Sequence, residues 1–326
     1  MLSEVLRTVR LTGALFFLVD ASSPWVAALP LASTFASILV PGAEHLISYH
    51  IVTLGPCWAR MPDEPPVRLE TGDVLVVPHG DPYVLASAPG LRDEMTTEEA
   101  LSFFRGMAAH ELPLVVTEGG GGPGRIGVVC GFLGCDVRPF NPVLATLPRL
   151  IHVRRSGGPT PDSLSSLIDL VIAEARARRP GGDCVIQRLG ELMFVEVVRQ
   201  YLAELPAGRT GWLAGLRDPV VGRALALLHA RPAEPWTLED LAKASATSRT
   251  ALAGRFAALV GQPPMQYLTH WRLQLAARRL ADGAAKVAAV AHEVGYESES
   301  AFSRAFKRLV GSAPSDWRER RLAGTA

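Results

Sequence analysis

Phe256-x3-Val260-Gly261-x2-Pro264-x2-Tyr267 returns as Phe306-x3-Val310-Gly311-x2-Pro314-x2-Trp317, each position displaced by 50 residues. Upstream, Leu238-x2-Leu241-Ala242 returns as Val287-x2-Val290-Ala291 at an offset of 49, so the second copy has gained one residue in its turn. Self-similarity at fixed spacing marks a duplicated structural unit. Each copy reads as helix, short turn, helix. In the first, Thr237 caps a helix over 238–244, residues 245–247 break it, and a second helix covers about 248–259. In the second, a helix over 287–293 leads through Gly295-Tyr296 to another from Glu299 to about Leu309. Two short helices joined by a tight turn form a helix-turn-helix, whose second helix enters the major groove of DNA. The amphipathic segment 265–281 joins the copies and would set the spacing of the two reading helices.

The charge distribution agrees. The whole chain holds 33 Lys+Arg against 32 Asp+Glu, a net +1. Residues 221–326 hold 15 against 9, or +6, which leaves 18 against 23, or −5, for residues 1–220. A basic part joined to an acidic part is the asymmetry of a protein that meets a polyanion with one domain only. Three basic patches, Arg272/Arg278/Arg279, Lys307/Arg308 and Arg318/Arg320/Arg321, would supply phosphate contacts, which position a protein without specifying sequence.

Residues 1–136 read as β-rich. Short apolar runs at 14–19, 47–54, 74–77, 83–85, 114–117 and 126–130 alternate with turn residues, the pattern of a sandwich or small barrel. Residues 92–110 read as a loop with room for a helical turn. From Pro139 to residue 205 the texture is helical. Thr160-Pro161 opens one helix running to about Arg179, Pro180-Gly181-Gly182 stops it, and a second covers about 183–204. This pair would pack on the barrel or form a homodimer interface. Residues 206–220 read as a linker. Arg7 and Arg10 before the apolar stretch 11–19 superficially resemble a leader, but Glu4 and Asp20 flank it wrongly. Nine apolar residues cannot span a bilayer, so a first strand, no membrane and a cytoplasmic address are expected.

Residues 221–326 resemble the DNA-binding domain of the AraC/XylS family of transcription regulators. The resemblance rests on the duplication, on Arg231–Thr237 (Arg-Pro-Ala-Glu-Pro-Trp-Thr), and on the run from Gly295 to Lys307, which is close to the family signature. It implies double-stranded promoter DNA as partner, and RNA polymerase if the protein activates. It also implies base reading by Glu299, Ser300, Ser303 and Arg304 in the second copy, with Lys307 beside them. Arg304 is the best physical candidate, because a guanidinium takes guanine O6 and N7 bidentately. The matching positions of the first copy are Arg249, Thr250, Ala253 and Gly254. Glycine stands there where a polar residue is usual, which leaves Arg249 and Arg255 for phosphate.

The β-rich part resembles a cupin-type sensory domain, through Gly72-Asp73-x4-Pro78-His79-Gly80-Asp81 and through Cys130-Gly131-Phe132-Leu133-Gly134-Cys135-Asp136 followed by Arg138-Pro139-Phe140-Asn141-Pro142. The fold implied is α+β: a cupin-like barrel with a helical pair (1–205), then an all-α domain (221–326). Tyr83 stands where a cupin keeps a metal-binding histidine. His45, His50 and His79 remain as ligands that, with Cys130 and Cys135, would suit Zn²⁺. His79, Cys130 and Cys135 also form the candidate effector or redox site. A tight Gly-Phe-Leu-Gly turn would bring the two sulfurs together; strand parity would separate them. Three signals stay open for the sensory part: a small molecule, a metal, or a thiol oxidant. The competing function is a metal-dependent cupin enzyme fused to a DNA-binding domain.

Overall fold

In the computed structural model the described residues are 2, 5–6, 11–43, 45–92, 95–135, 137, 139–155, 163–177, 179–206, 208, 210–283 and 285–323. Residues 4, 7, 10 and 160–161, on which parts of the sequence reading turn, lie outside them. The chain forms two compact units. One comprises residues 11–135 and 147–203; the other comprises 1–10, 136–146 and 204–326.

The first unit is built on ten strands: β1 Leu11–Ser22, β2 Val26–Leu29, β3 His45–Leu54, β4 Cys57–Arg60, β5 Val67–Leu69, β6 Val74–Val77, β7 Tyr83–Ala86, β8 Val115–Gly119, β9 Arg125–Cys135 and β10 Ile151–Val153. They form a six-stranded sheet, β10-β6-β3-β9-β1-β8, and a four-stranded sheet, β2-β7-β4-β5. The architecture is cupin-like but the barrel is not closed. A hydrophobic core that includes Phe17, Trp25, Leu46, Leu85 and Phe132 draws on strands of both sheets.

Strand β9 decides between the turn and strand parity at Cys130 and Cys135. It runs unbroken through Gly131-Phe132-Leu133-Gly134, paired with β3 on one side and β1 on the other. Gly131 looks like a breaker in the sequence but is there for space. A Cβ on Gly131 would lie 2.0 Å from Cζ of Tyr49. Cys130 and Cys135 are therefore five residues apart on one strand, on opposite faces and about 17 Å apart along it. That is far beyond the Cα spacing a disulfide tolerates.

Residues 92–110 are not only loop. They contain α1, Thr97–Ala108, opened by a capping box in which Thr96 and Glu99 satisfy each other's backbone N–H. Ala100, Phe104 and Met107 make its buried face. Phe104 stacks on Phe35 at 4.4 Å and meets Phe132 edge-on at 5.6 Å. Helices α2, Ser163–Ala177, and α3, Gly182–Glu204, realise the predicted pair. Gly190 of α3 lies against Tyr49, whose hydroxyl a Cβ there would approach to 2.8 Å.

The second unit is helical: α4 Trp212–Arg217, α5 Pro219–Ala230, α6 Leu238–Ala244, α7 Arg249–Val260, α8 Pro264–Ala281, α9 Val287–Glu293, α10 Glu299–Val310 and α11 Pro314–Ala323. The stretch read as a linker thus supplies α4, and it belongs to this unit's core. Trp212 is 1% exposed and donates from Nε1 to the Tyr267 hydroxyl at 2.7 Å.

Candidate nucleic-acid interface and the cavity of the β unit

The two helix-turn-helix units repeat down to their caps. Ser248 accepts from the N–H of Ala251, and Ser298, 50 positions on, accepts from Ala301, each at 3.2 Å. Both reading helices end on a left-handed glycine, Gly261 at φ 81° and Gly311 at φ 86°. Leu252 and Phe256 bury the inner face of α7 as Phe302 and Phe306 bury that of α10. Tyr267 closes on Phe256 at 5.7 Å and Trp317 on Phe306 at 6.2 Å, both edge-on. Helix α8 joins the cores. Tyr267 and Trp271 near its start pack against Phe256 and His229 beside the first helix-turn-helix, while Leu273, Ala276 and Leu280 join the core of the second. At about 1.5 Å per residue it is a strut of about 27 Å.

The turns differ in one respect. Gly295 sits at φ 89° with the Ala233 carbonyl oxygen 2.6 Å from where a Cβ would be, so only glycine fits. At the matching place in the first copy Ala246 adopts φ 55°, a conformation that costs an L-residue about 1–2 kcal/mol.

On the outer faces, Glu299, Ser300, Arg304 and Lys307 of α10 are exposed and Ser303 is half-buried. Arg304 and Lys307 make no ion pair among the described residues, which leaves both free for DNA. On α7, Arg249 and Thr250 are exposed; Arg249 makes only a loose pair with Glu239 at 3.8 Å. Gly254 faces open space. Arg255 is occupied: its Nε and Nη2 lie 2.8 and 2.5 Å from Asp218 Oδ2. Asp218 caps α5 through the N–H groups of Val220 and Val221. Burial pushes the Asp218 carboxyl up, but the Val221 N–H and Arg255 outweigh it and hold it below the usual range. Arg272 is also engaged, donating to the carbonyls of Pro232 and Glu234 at 2.6 and 2.7 Å. These two arginines build the domain, so the DNA-facing charge is smaller than the sequence count.

The residues proposed as metal ligands do not converge. His45 Nε2 lies 2.6 Å from the Pro78 carbonyl oxygen, and His79 Nε2 lies 2.9 Å from that of Leu147. Cys135 sits in register with His45, far along β9 from Cys130. Only His50 and Cys130 meet, with Nδ1 at 3.1 Å from the sulfur, and Nε2 of the same ring is 2.5 Å from the Tyr83 hydroxyl. Both ring nitrogens are thus committed, and no group of three or more His, Cys, Asp or Glu side chains among the described residues is placed to hold a metal. Burial lowers the His50 imidazole to about 3 and pushes the Cys130 thiol well up. A thiol so held is protonated at neutral pH, the opposite of a reactive thiolate.

His50 and Cys130 instead border a cavity of about 410 Å³. Its walls are Phe17 and Val19 of β1, Trp25 and residues of β2, and Phe103 and Phe104 of α1; Glu118 of β8 is its one carboxylate among the described residues. Beyond β9 the chain enters the second unit, where Phe140 lies edge-on to Tyr267 at 5.4 Å and its N–H donates to Gln274 Oε1.

A cupin family profile matches residues 1–203, and a helix-turn-helix domain profile matches residues 241–320. A putative AraC-like transcription regulator of Streptomyces antibioticus is 35% identical over 278 residues, 85% of this chain and 88% of that one. This chain belongs to the AraC-type transcription regulators. The HTH-type transcriptional regulator AlkR of Acinetobacter baylyi is 31% identical, over 85% of this chain and 89% of its own. As an AraC-type protein it is a DNA-binding regulator of transcription and not an enzyme. No helix of its described residues is long and apolar enough to cross a membrane.

The sequence reading of this AraC-type chain missed α1 and hence the cavity. The signal was there in Thr96-x-x-Glu99 followed by Ala100, Phe104 and Met107 at helical spacing. Phe140 stands in the motif at 138–142, but its meeting with Gln274 follows no local pattern, since it is a product of the tertiary fold.

Proposed function

We propose that this protein regulates transcription in response to a small apolar molecule bound in the cavity of the β unit, and that it works as a homodimer. The observation that carries this reading is the cavity itself, of about 410 Å³ with aromatic and aliphatic walls. Pockets of this size and lining suit small-molecule ligands. The floor strand β9 carries Cys130 and leads directly into the Phe140 segment, which is seated on α8 between the two helix-turn-helix units. A ligand that moves β9 has a route along the chain to Phe140 and from there, through the Gln274 hydrogen bond and the Tyr267 ring, to the strut that fixes the reading helices. A metal or thiol-redox signal has less to support it, given the committed ring nitrogens of His50 and the separation of Cys130 from Cys135. The homodimer reading rests on Leu170, Val185 and Leu192 of the helical pair, which are 45%, 39% and 53% exposed.

The test is footprinting and in vitro transcription on the gene's own upstream region, with apolar small molecules and, in parallel, with oxidant. A response to the former that is lost on filling the cavity with Leu29→Trp is expected. A response to oxidant alone, abolished in Cys130→Ser, would overturn the reading.

A further inference from the structure

The cavity is apolar on nearly every side, yet one of its lining groups is a carboxylate. Glu118 accepts a hydrogen bond from Trp25 Nε1 at 2.6 Å through Oε2. It makes no ion pair among the described residues; Arg125, on the next strand in sequence, is paired with Asp20 at 2.6 Å. The Glu118 charge reaches the interior: after burial, it is the next contribution holding the Cys130 thiol protonated.

Glu118 is half-buried, and a carboxylate at the edge of an apolar cavity with no cationic partner among the described residues attracts a ligand that brings the opposite charge. The indole that anchors it adds a second preference. Trp25 is 3% exposed, borders the cavity, and fixes the carboxylate through its ring nitrogen. A tryptophan beside an anionic group is the chemistry that recognises alkylammonium ions, by charge and by the negative ring face. Phe17, Phe103 and Leu85 leave the rest of the space suited to hydrocarbon.

We infer that the cavity takes a hydrophobic cation, an alkyl or aryl amine or quaternary ammonium, with its charged head at Glu118 and Trp25 and its tail against Phe17 and Phe103. The inference rests on the cavity being the effector site, as proposed above, and names the class of effector. Glu118 is then the residue that sets specificity. The neutral His50 and Cys130 border the same cavity and offer no opposing charge.

The test uses the full-length protein and three probes of equal chain length, decyltrimethylammonium, decanol and decanoate, each below its micelle concentration. Binding is followed by calorimetry and by quenching of tryptophan emission. The cation is expected to bind about tenfold or more tighter than the alcohol, an advantage of about 1.4 kcal/mol, and the anion weakest. Glu118→Gln, which keeps an acceptor for Trp25, should remove that advantage while leaving decanol unchanged. Leu29→Trp should abolish binding of all three. Equal binding of the cation and the alcohol, or a Glu118→Gln variant that keeps the preference, would overturn the inference and leave the effector site standing. Failure of all three probes to bind would remove the effector reading of the cavity together with it.

Discussion

The backbone N–H of Phe140 donates to Oε1 of Gln274 across 2.9 Å, and Gln274 is only 2% exposed. A glutamine buried in the connecting helix thus holds the backbone of a segment from between the sensory strands. Gln274→Ala would leave the Phe140 N–H without that acceptor at a cost of about 1–3 kcal/mol. The expected result is a lower melting temperature, promoter affinity retained, and a smaller transcriptional response to the cavity ligand. An unaltered response would show that the signal takes another route.

Arg304 and Arg255 look alike in sequence but should fail differently. Arg304→Ala is expected to lose about 1–3 kcal/mol on its cognate site and to relax specificity at one base pair. Lys307→Ala should weaken all DNA alike and flatten the salt dependence by about one counterion. Arg255→Ala should instead lower thermal stability, through the lost Asp218 pair, with the salt slope kept. Affinity measured over a salt series with cognate and scrambled sites separates the three.

Gly254 stands inside α7 with nothing within 4 Å of an added Cβ. Gly254→Ala should therefore stabilise the domain by about 1 kcal/mol. Gly295→Ala should do the reverse and more, since it meets the Ala233 backbone. Thermal or urea unfolding of the two variants checks the pair.

Stability of the β unit should depend on pH through His50. The unfolded imidazole takes a proton near 6.5, whereas the buried one resists until about 3. Between these values the unfolded chain binds more protons, so stability is full above pH 6.5 and falls as the pH drops, by about 1.4 kcal/mol per unit at most. His45, also lowered by burial, adds in the same sense. His50→Gln should flatten the slope between pH 6.5 and 4.5 in urea titrations.

Leu192 of α3 is 53% exposed. If the helical pair joins two copies, Leu192→Arg should shift sedimentation from dimer to monomer and weaken binding to a two-site promoter, with little change in monomer stability. An unchanged sedimentation profile would move the interface elsewhere.

The second unit was legible in the sequence because its signals are local. Ser248 and Ser298, Gly261 and Gly311, and Phe256 and Phe306 each do their work within a few residues, and the duplication doubles the signal. The β unit was less so. The end of strand β9 hid behind glycines that read as a turn, although Gly131 is demanded by Tyr49, which is distant in sequence. The short strands β2, β4, β5 and β10 hold 3 or 4 residues each, too few for an alternating pattern to stand out. Among site residues, exposed Arg304 could be named from a motif, but the engagement of Arg255 by Asp218 depends on a partner 37 positions away. The cavity could not be named at all, since its walls come from strands and a helix that meet only on folding.

The unit that holds the DNA-binding helices is discontinuous along the chain, because residues 136–146 belong to it. Cleavage after Ala203 would yield a fragment that keeps both reading helices but has lost Phe140 from Tyr267 and Gln274. Such a fragment should be recognisable by a newly wet aromatic surface and by its affinity for a synthetic peptide of sequence 136–146. Added in trans, that peptide should restore part of the lost protection from proteolysis, as a missing piece restores a cut domain.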